Sequence, residues 1–326
     1  MLLNLLEYHW AEDIDEALLL IARPDVKTVA LAGGTHLLGL DDDSIEAVVD
    51  LRDLELDYIR ENATSVHIGA MTTLQSMVDS PVLKEQAASL LAQTAQASSF
   101  SRVIRNSATL GGTLAIGAAS QADVLTALAV LDAEALLRSG SRTKVDLSAG
   151  SVERPGFALA GVTFKGKHER RVSCVNLSHE RRANELIVEV IVPRPSAGTG
   201  ASFQRIGRTP TDVALLNACA LVEIRDGVYH RVRLALGGVH MQPVRMPGVE
   251  KQLEGQVAMN PGDTTINTQL LVSALQVGMA DFQPPADFRA SSGYRKTSGV
   301  NLALRALEEA TTISRWRNMV SSKEGQ

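Results

Sequence analysis

Two glycine pairs, each followed by threonine, are the residues of this chain best suited to hold a ligand. One is Ala32-Gly33-Gly34-Thr35-His36, which closes a β-rich run. The other is Thr109-Leu110-Gly111-Gly112-Thr113. Glycine lets the main chain approach a ligand with no Cβ in the way. Successive N–H groups in such a turn form an anion-binding hollow, and flanking hydroxyls add donors. Two such turns, far apart in sequence, could grip one diphosphate from both sides, which favours a dinucleotide. Taken singly, a structural tight turn is the commoner use of a glycine pair.

Other candidates are weaker. Neither glycine pair fits the G-x-G-x-x-G fingerprint, so a Rossmann nicotinamide unit is disfavoured. Gly161–His168 nearly matches a P-loop, but His168 stands where Ser or Thr would bind magnesium, and the stretch reads as a loop. His36 is either a donor beside a ligand phosphate or a solvent-facing turn residue. The other six histidines lack paired spacing, so no metal site is expected. The tetrapeptide HERR occurs at His168–Arg171 and again at His179–Arg182, close to Lys165 and Lys167. This one basic cluster could dock an acidic partner or attract a nicotinamide nucleotide; the plainer reading is a solvated hairpin.

The elements that must carry these residues are mixed. Asp13 caps an expected helix over Ile14–Ala22, and Lys27–Ala32 reads as the strand feeding the first glycine pair. Strands are expected at Ala47–Leu51 and Ser65–Ala70, and helices at Thr73–Val78, Lys84–Ser99 and Ala122–Leu131. Asn106–Ala115, rich in Gly and Thr, reads as strand and tight turn. Strands follow at Ala133–Arg138, Thr143–Leu147, Val172–Leu177 and Glu185–Val192, then a linker at Pro193–Gly200. Beyond it, Ala201–Ile206, Val213–Ile224 and Tyr229–Leu236 predict a three-stranded antiparallel sheet turning at Asp226-Gly227. Helices over Gln269–Met279 and Val300–Val320 end the chain.

With 326 residues, two domains are expected. There are 32 basic and 37 acidic residues, a formal charge of −5, so nothing points to nucleic acid. Cys174 and Cys219 have no C-x-x-C spacing, which excludes an internal iron–sulfur cluster and suits a reducing, cytoplasmic setting. The start, MLLNLLEYHW, is a poor signal peptide. The longest apolar stretch, Val124–Leu137, is interrupted by Asp132 and Glu134, so no membrane span is expected.

Several ordered motifs carry a family resemblance. LAGGTHLL (Leu31–Leu38) resembles the first FAD loop of the flavoprotein subunits of molybdenum hydroxylases, the medium subunits of carbon monoxide and xanthine dehydrogenases. RNSATLGGT (Arg105–Thr113) resembles their second FAD loop, and VHIGAMTTLQSMVDSPVL (Val66–Leu83) the segment between. FQRIGRTPTDVALLNAC (Phe203–Cys219), LALGGVHMQPVRM (Leu234–Met246) and YRKTSGVNLALRAL (Tyr294–Leu307) are similar to their C-terminal domain.

The resemblance implies an α+β (mixed α/β) protein. An FAD-binding domain of the vanillyl-alcohol-oxidase/p-cresol-methylhydroxylase type would occupy residues 1–195, in subdomains of about 1–55 and 56–195, and a C-terminal α/β domain residues 196–326. By position, Leu31, Ala32, Gly33, Gly34, Thr35, His36, Leu37, Thr109, Gly111, Gly112 and Thr113 would contact FAD. Asp123 would bind the ribose, and Leu186 or Ile187 would lie beside the isoalloxazine. Thr113 replaces the family's usual Asn, and the stretch to Asp123 is slightly long and lacks the common Pro. The implied role is electron transfer from [2Fe–2S] clusters on a small partner subunit, fed by a molybdopterin-binding large subunit, to NAD or another acceptor. No catalytic acid or base is implied on this chain. Two alternatives stay open: an FAD-less scaffold subunit and a stand-alone flavin oxidase.

Overall fold

The computed structural model describes residues 2, 4–85, 89–117, 122–144, 162–209, 211–240, 242–260 and 265–324. The chain opens with β1 (Glu7–Trp10), α1 (Ile14–Ile21), β2 (Thr28–Leu31) and β3 (Ala47–Asp50). Asp13 starts α1 by accepting the Glu16 N–H at 2.8 Å, as its type and position predict. Ala17, Leu18 and Leu20 of α1 are buried against Val49 and Leu51. The three strands pair in parallel in the order β1-β3-β2, so one edge of β2 has no partner strand among the described residues.

Next come β4 (Ile59–Glu61), β5 (Ser65–Gly69), α2 (Leu74–Asp79), α3 (Ser89–Ser98), α4 (Arg102–Ser107), α5 (Leu110–Ile116) and α6 (Ala122–Val130). They are followed by β6 (Glu134–Lys144), β7 (Val162–Ser173), α7 (Leu177–Glu180) and β8 (Glu185–Pro193). An antiparallel sheet forms in the order β4-β5-β8-β6-β7. β8 is its central strand and is buried along nearly its whole length, which explains the unbroken apolar texture of its sequence.

Three of the expectations for this part of the chain need correction. Asn106–Ala115 is helical, spanning the end of α4 and most of α5. Thr109 caps α5, and Leu110 and Leu114 bury one face, so packing overrides the low helix propensity of Gly and Thr. Val172–Leu177 is the end of β7, a turn and the start of α7. Val162–His168 belongs to β7 rather than to a loop, while Gly161 lies outside the described residues. Of the strand expected over Thr143–Leu147, residues 143–144 end β6, and residues 145–147 lie outside the described residues.

The chain then forms β9 (Thr199–Ile206), β10 (Leu216–Arg225), β11 (Val228–Gly237), β12 (Val244–Arg245), α8 (Pro247–Leu253), α9 (Thr268–Gly278) and α10 (Ser292–Glu324). The sheet here has four antiparallel strands, β12-β11-β10-β9, not the three expected. The added strand is two residues long, too short to show a period of its own. Its Arg245 holds it in place with a bond to the Ala129 carbonyl at 2.8 Å and ion pairs to Glu250 (2.8 Å) and Asp132 (2.6 Å). Among the described residues, no helix is long and apolar enough to cross a membrane.

Helix α6 ties the last two sheets together. Its Val124, Ala127, Leu128 and Val130 share one core with Leu137 and Val190 on one side and Cys219, Leu221 and Ala235 on the other. Asp132, just past the helix, accepts from Arg231 (2.5 Å), Arg233 (3.2 Å) and Arg245. Burial pushes the Asp132 carboxyl up, but the hydrogen bonds and charges of Arg245, Arg231 and Arg233 outweigh it and hold the group below the usual carboxylate range. Its folded value being depressed, this stabilisation is complete above the ordinary carboxylate range and is lost as pH falls through the folded value. Asp132→Asn keeps the side chain's shape and removes the charge. With a third of the side chain in water, the expected loss is about 2 kcal/mol, below the roughly 3–5 of a fully buried pair. Urea unfolding at neutral and acid pH checks this: the gap between variant and parent should close on acidification.

Candidate dinucleotide site

A cleft of about 610 Å³ opens between the free edge of β2 and the segments that face it. Lys27, Thr28, Val29, Ala30 and Ala32 line it in near-continuous sequence, as expected where a strand presents its edge rather than a face. Across from them stand Ala70 and Met71 after β5, Gly111, Gly112 and Ala115 of α5, and Leu186 and Ile187 of β8. The size and the largely apolar walls suit an organic ligand, for which clefts of roughly 300–1,000 Å³ are usual.

The first glycine pair sits at the end of β2. Gly34 has φ of +69°, a left-handed conformation that glycine adopts without cost. A Cβ on Gly33 would lie 1.6 Å from the carbonyl oxygen of Ser107, so the loop is docked against the end of α4 and accepts no side chain there. Among the described residues, the N–H groups of Gly33, Gly34 and Thr35 have no acceptor, which leaves them able to bind an anion.

The second glycine pair differs. Leu110 N–H donates to Thr72 O (2.9 Å) and Gly111 N–H to Ala70 O (2.8 Å). Gly112 N–H donates to Thr109 Oγ1 (3.1 Å), and Thr113 N–H to Thr109 O (2.9 Å). All four donors are therefore satisfied inside the protein, as a capped helix start requires. What this segment offers a ligand is space: a Cβ on Gly112 would point across the cleft to within 3.9 Å of the Ala32 Cβ.

Of the residues singled out from the sequence, the cleft gathers Ala32, Gly111, Gly112, Leu186 and Ile187. Leu31 points to the other face of its sheet, packed with Ile45, Val48 and Leu37. His36 is exposed on the loop. Thr113 is buried, its hydroxyl donating to Thr109 O at 2.9 Å. Asp123 is also buried, and it engages the C-terminal sheet: it accepts from Asn217 Nδ2 (2.5 Å) and pairs with Arg205 (3.2 Å). Burial raises its carboxyl above the usual range, against the charge of Arg205 and the hydrogen bond from Asn217.

Three cations that the sequence reading did not place here also line the cleft: Arg23, Lys27 and Arg181. Arg23 pairs with Glu7 at 2.6 Å and Lys27 with Asp42 at 3.0 Å. Arg181, in the second HERR tetrapeptide, has one 3.3 Å bond to the Glu185 carbonyl. The available sequence signal was that tetrapeptide, though its first copy behaves differently: Arg170 pairs with Glu185 and Arg138 with Glu169. Burial raises the thiol of Cys174 to about 12 and that of Cys219 as well, so both are held protonated. No group of acidic, His or Cys side chains among the described residues could hold a metal ion.

This architecture defines a flavoprotein class. Residues 4–195 match the FAD binding domain in molybdopterin dehydrogenase, and residues 201–310 the CO dehydrogenase flavoprotein C-terminal domain. The chain belongs to this family, the FAD-binding medium subunits of molybdopterin-dependent oxidoreductases. It is 27% identical to the glyceraldehyde dehydrogenase medium chain of Sulfolobus acidocaldarius, over 93% of this chain and 97% of that one. It is 28% identical to the carbon monoxide dehydrogenase medium chain of Hydrogenophaga pseudoflava, over 93% and 96%. Among solved structures, the carbon monoxide dehydrogenase of H. pseudoflava superimposes with a TM-score of 0.76 at 25% identity, covering 95% of this chain and 98% of that one. Quinoline 2-oxidoreductase from Pseudomonas putida 86 shares the fold, with a TM-score of 0.76 at 23% identity over 95% and 98%.

The two glycines of α5 make separable predictions. A methyl at Gly111 would meet the Cβ and carbonyl oxygen of Ala70, both at 2.8 Å, whereas one at Gly112 would meet Thr109 Oγ1 at 3.0 Å and the Ala32 Cβ at 3.9 Å, an ordinary contact. Gly111→Ala should cost about 1–3 kcal/mol through overpacking, and Gly112→Ala much less. Thermal unfolding of the two variants without ligand measures the difference.

Proposed function

We propose that this chain binds FAD in the cleft. It then serves as the electron-transfer subunit of a molybdopterin hydroxylase or dehydrogenase, passing electrons from [2Fe–2S] clusters on a partner chain to NAD or another acceptor. The observation that carries this reading is the cleft itself, where segments about 80 residues apart in sequence bring Ala32 and Gly112 face to face. Bound FAD would supply the redox chemistry, which no side chain here can provide. The chain's own residues bind and orient. Gly33, Gly34 and Thr35 offer N–H donors to the diphosphate, Gly112 leaves room for it, and Met71, Leu186 and Ile187 form an apolar wall that excludes water from the rings. Leu31, Leu37, Thr109 and Thr113 act behind the surface by fixing the two loops. Asp123 serves through its bonds to Arg205 and Asn217.

The same reading assigns residues 1–195 to a vanillyl-alcohol-oxidase/p-cresol-methylhydroxylase-type domain with subdomains of about 1–55 and 56–195, and residues 196–326 to the C-terminal domain. The three separate sheets support that division. A molybdopterin-binding large subunit and a [2Fe–2S] small subunit are the proposed partners, by analogy with the medium chains it resembles. A cytoplasmic location is in keeping with two unpaired cysteines. The scaffold reading draws on one specific observation, the internally satisfied N–H groups of the second glycine pair.

The visible spectrum of the purified chain separates the two readings. Flavin absorption, with FAD released on denaturation, is the expected result; a colourless chain that takes up no added FAD would leave the scaffold. Gly112→Val should abolish FAD retention while lowering the melting temperature of the unliganded chain by only a few degrees. Normal FAD content in that variant would refute the placement of the ligand beside α5.

A further inference from the structure

We infer that Arg181 supplies the counter-charge for the FAD diphosphate in this cleft, the role that the second glycine pair is not free to take. The inference rests on the FAD reading above and concerns how the ligand's charge is met. A diphosphate brings two negative charges into a cleft with largely apolar walls, and these need donors or cations inside it. On the α5 side, the N–H groups of Leu110, Gly111, Gly112 and Thr113 are all engaged within the protein. Of the two loops, the first alone keeps N–H groups with no acceptor among the described residues.

The cations lining the cleft are not equivalent. Arg23 and Lys27 have carboxylate partners in Glu7 and Asp42. Arg181 has none among the described residues; its guanidinium makes one 3.3 Å bond to a carbonyl oxygen. Of the carboxylates close to it in sequence, Glu180 lies 3.9 Å from Arg170, and Glu185 is committed elsewhere. It pairs with Arg170 through both oxygens, at 2.7 and 2.8 Å, and accepts the Arg182 N–H at 2.8 Å. A half-buried guanidinium with no counter-ion is costly, and it is a poor structural choice unless something else neutralises it. Burial pushes the Arg181 pKa down, and the charge of Glu185 offsets this only in part. The planar fork of five N–H donors suits phosphate oxygens, which it can bind two at a time. Arg181 shares the cleft with Gly111 and Gly112, so the cation stands where the ligand would lie.

The test uses the full-length chain freed of flavin and equilibrium dialysis against three probes: FAD, ADP and riboflavin, which has no phosphate. Each is measured at low and high salt. For the parent chain, FAD and ADP should weaken as salt rises, and riboflavin should not. Arg181→Leu should weaken FAD and ADP about ten- to a hundredfold and flatten their salt dependence, the scale of a lost hydrogen-bonded charge. Riboflavin should stay within about twofold. Arg181→Lys should recover part of the affinity, as a point charge without the fork. The unliganded Arg181→Leu chain should melt no lower than the parent, because the replacement removes an uncompensated charge. Unchanged FAD and ADP affinity, an equal loss for riboflavin, or a fall in the unliganded melting temperature would each overturn the inference. A parent chain that takes up no FAD refutes the cofactor reading; a parent that binds FAD beside an Arg181→Leu variant that binds it equally well refutes only the role of Arg181.

Discussion

The site depends on a short main-chain zipper between Ala70–Leu74 and Ala108–Gly111. Leu74 N–H donates to Ala108 O, Leu110 N–H to Thr72 O, and Gly111 N–H to Ala70 O, all within 2.8–2.9 Å. Ala70 is itself anchored to β8 through its N–H to Val188 O at 3.0 Å. This lattice fastens the start of α5 to the central strand of the five-stranded sheet, so that Gly112 faces Ala32 across the cleft at a fixed spacing. Satisfying these donors internally stabilises the wall and removes it from the list of groups that can meet an anion. One end of the cleft is therefore built for closeness, and charge has to be handled from the other side.

Rigidity reaches this wall from the C-terminal sheet as well. Helix α6 follows α5 in the chain and carries an acidic residue at each end, both bound to that sheet. Asp123 engages Arg205 of β9 and Asn217 of β10, and Asp132 engages Arg231, Arg233 and Arg245. Between them the helix is buried on all sides. An apolar helix could slide against a flat sheet; two ionic ends give it one register. The C-terminal domain thus contributes to the site without lining it.

What could be read from the sequence was whatever is decided locally. The Asp13 cap, the Asp226-Gly227 turn, with both residues at positive φ, and the apolar run of β8 are each set by a few neighbouring residues, and the structure has them. The glycine pairs stand out in the sequence for the same reason. Properties set by distant partners were hidden. Helix α5 has weak helix formers and exists because Leu110 and Leu114 find a core and Thr109 a cap. The partners of Asp123 lie 82 and 94 residues away. Among the described residues Arg181 has no ion-pair partner because Glu185 pairs with Arg170, a competition between two identical tetrapeptides that no spacing rule decides.

The bare edge of β2 has a meaning beyond recognition. A strand edge carries a row of unsatisfied donors and acceptors, a template on which a second polypeptide can zip. Here the row is four residues long and borders the cleft, with Lys27 just before it. On the proposed reading, a small molecule seated along it would act as a stopper as well as a cofactor, covering a template on which a second copy of the chain could pair.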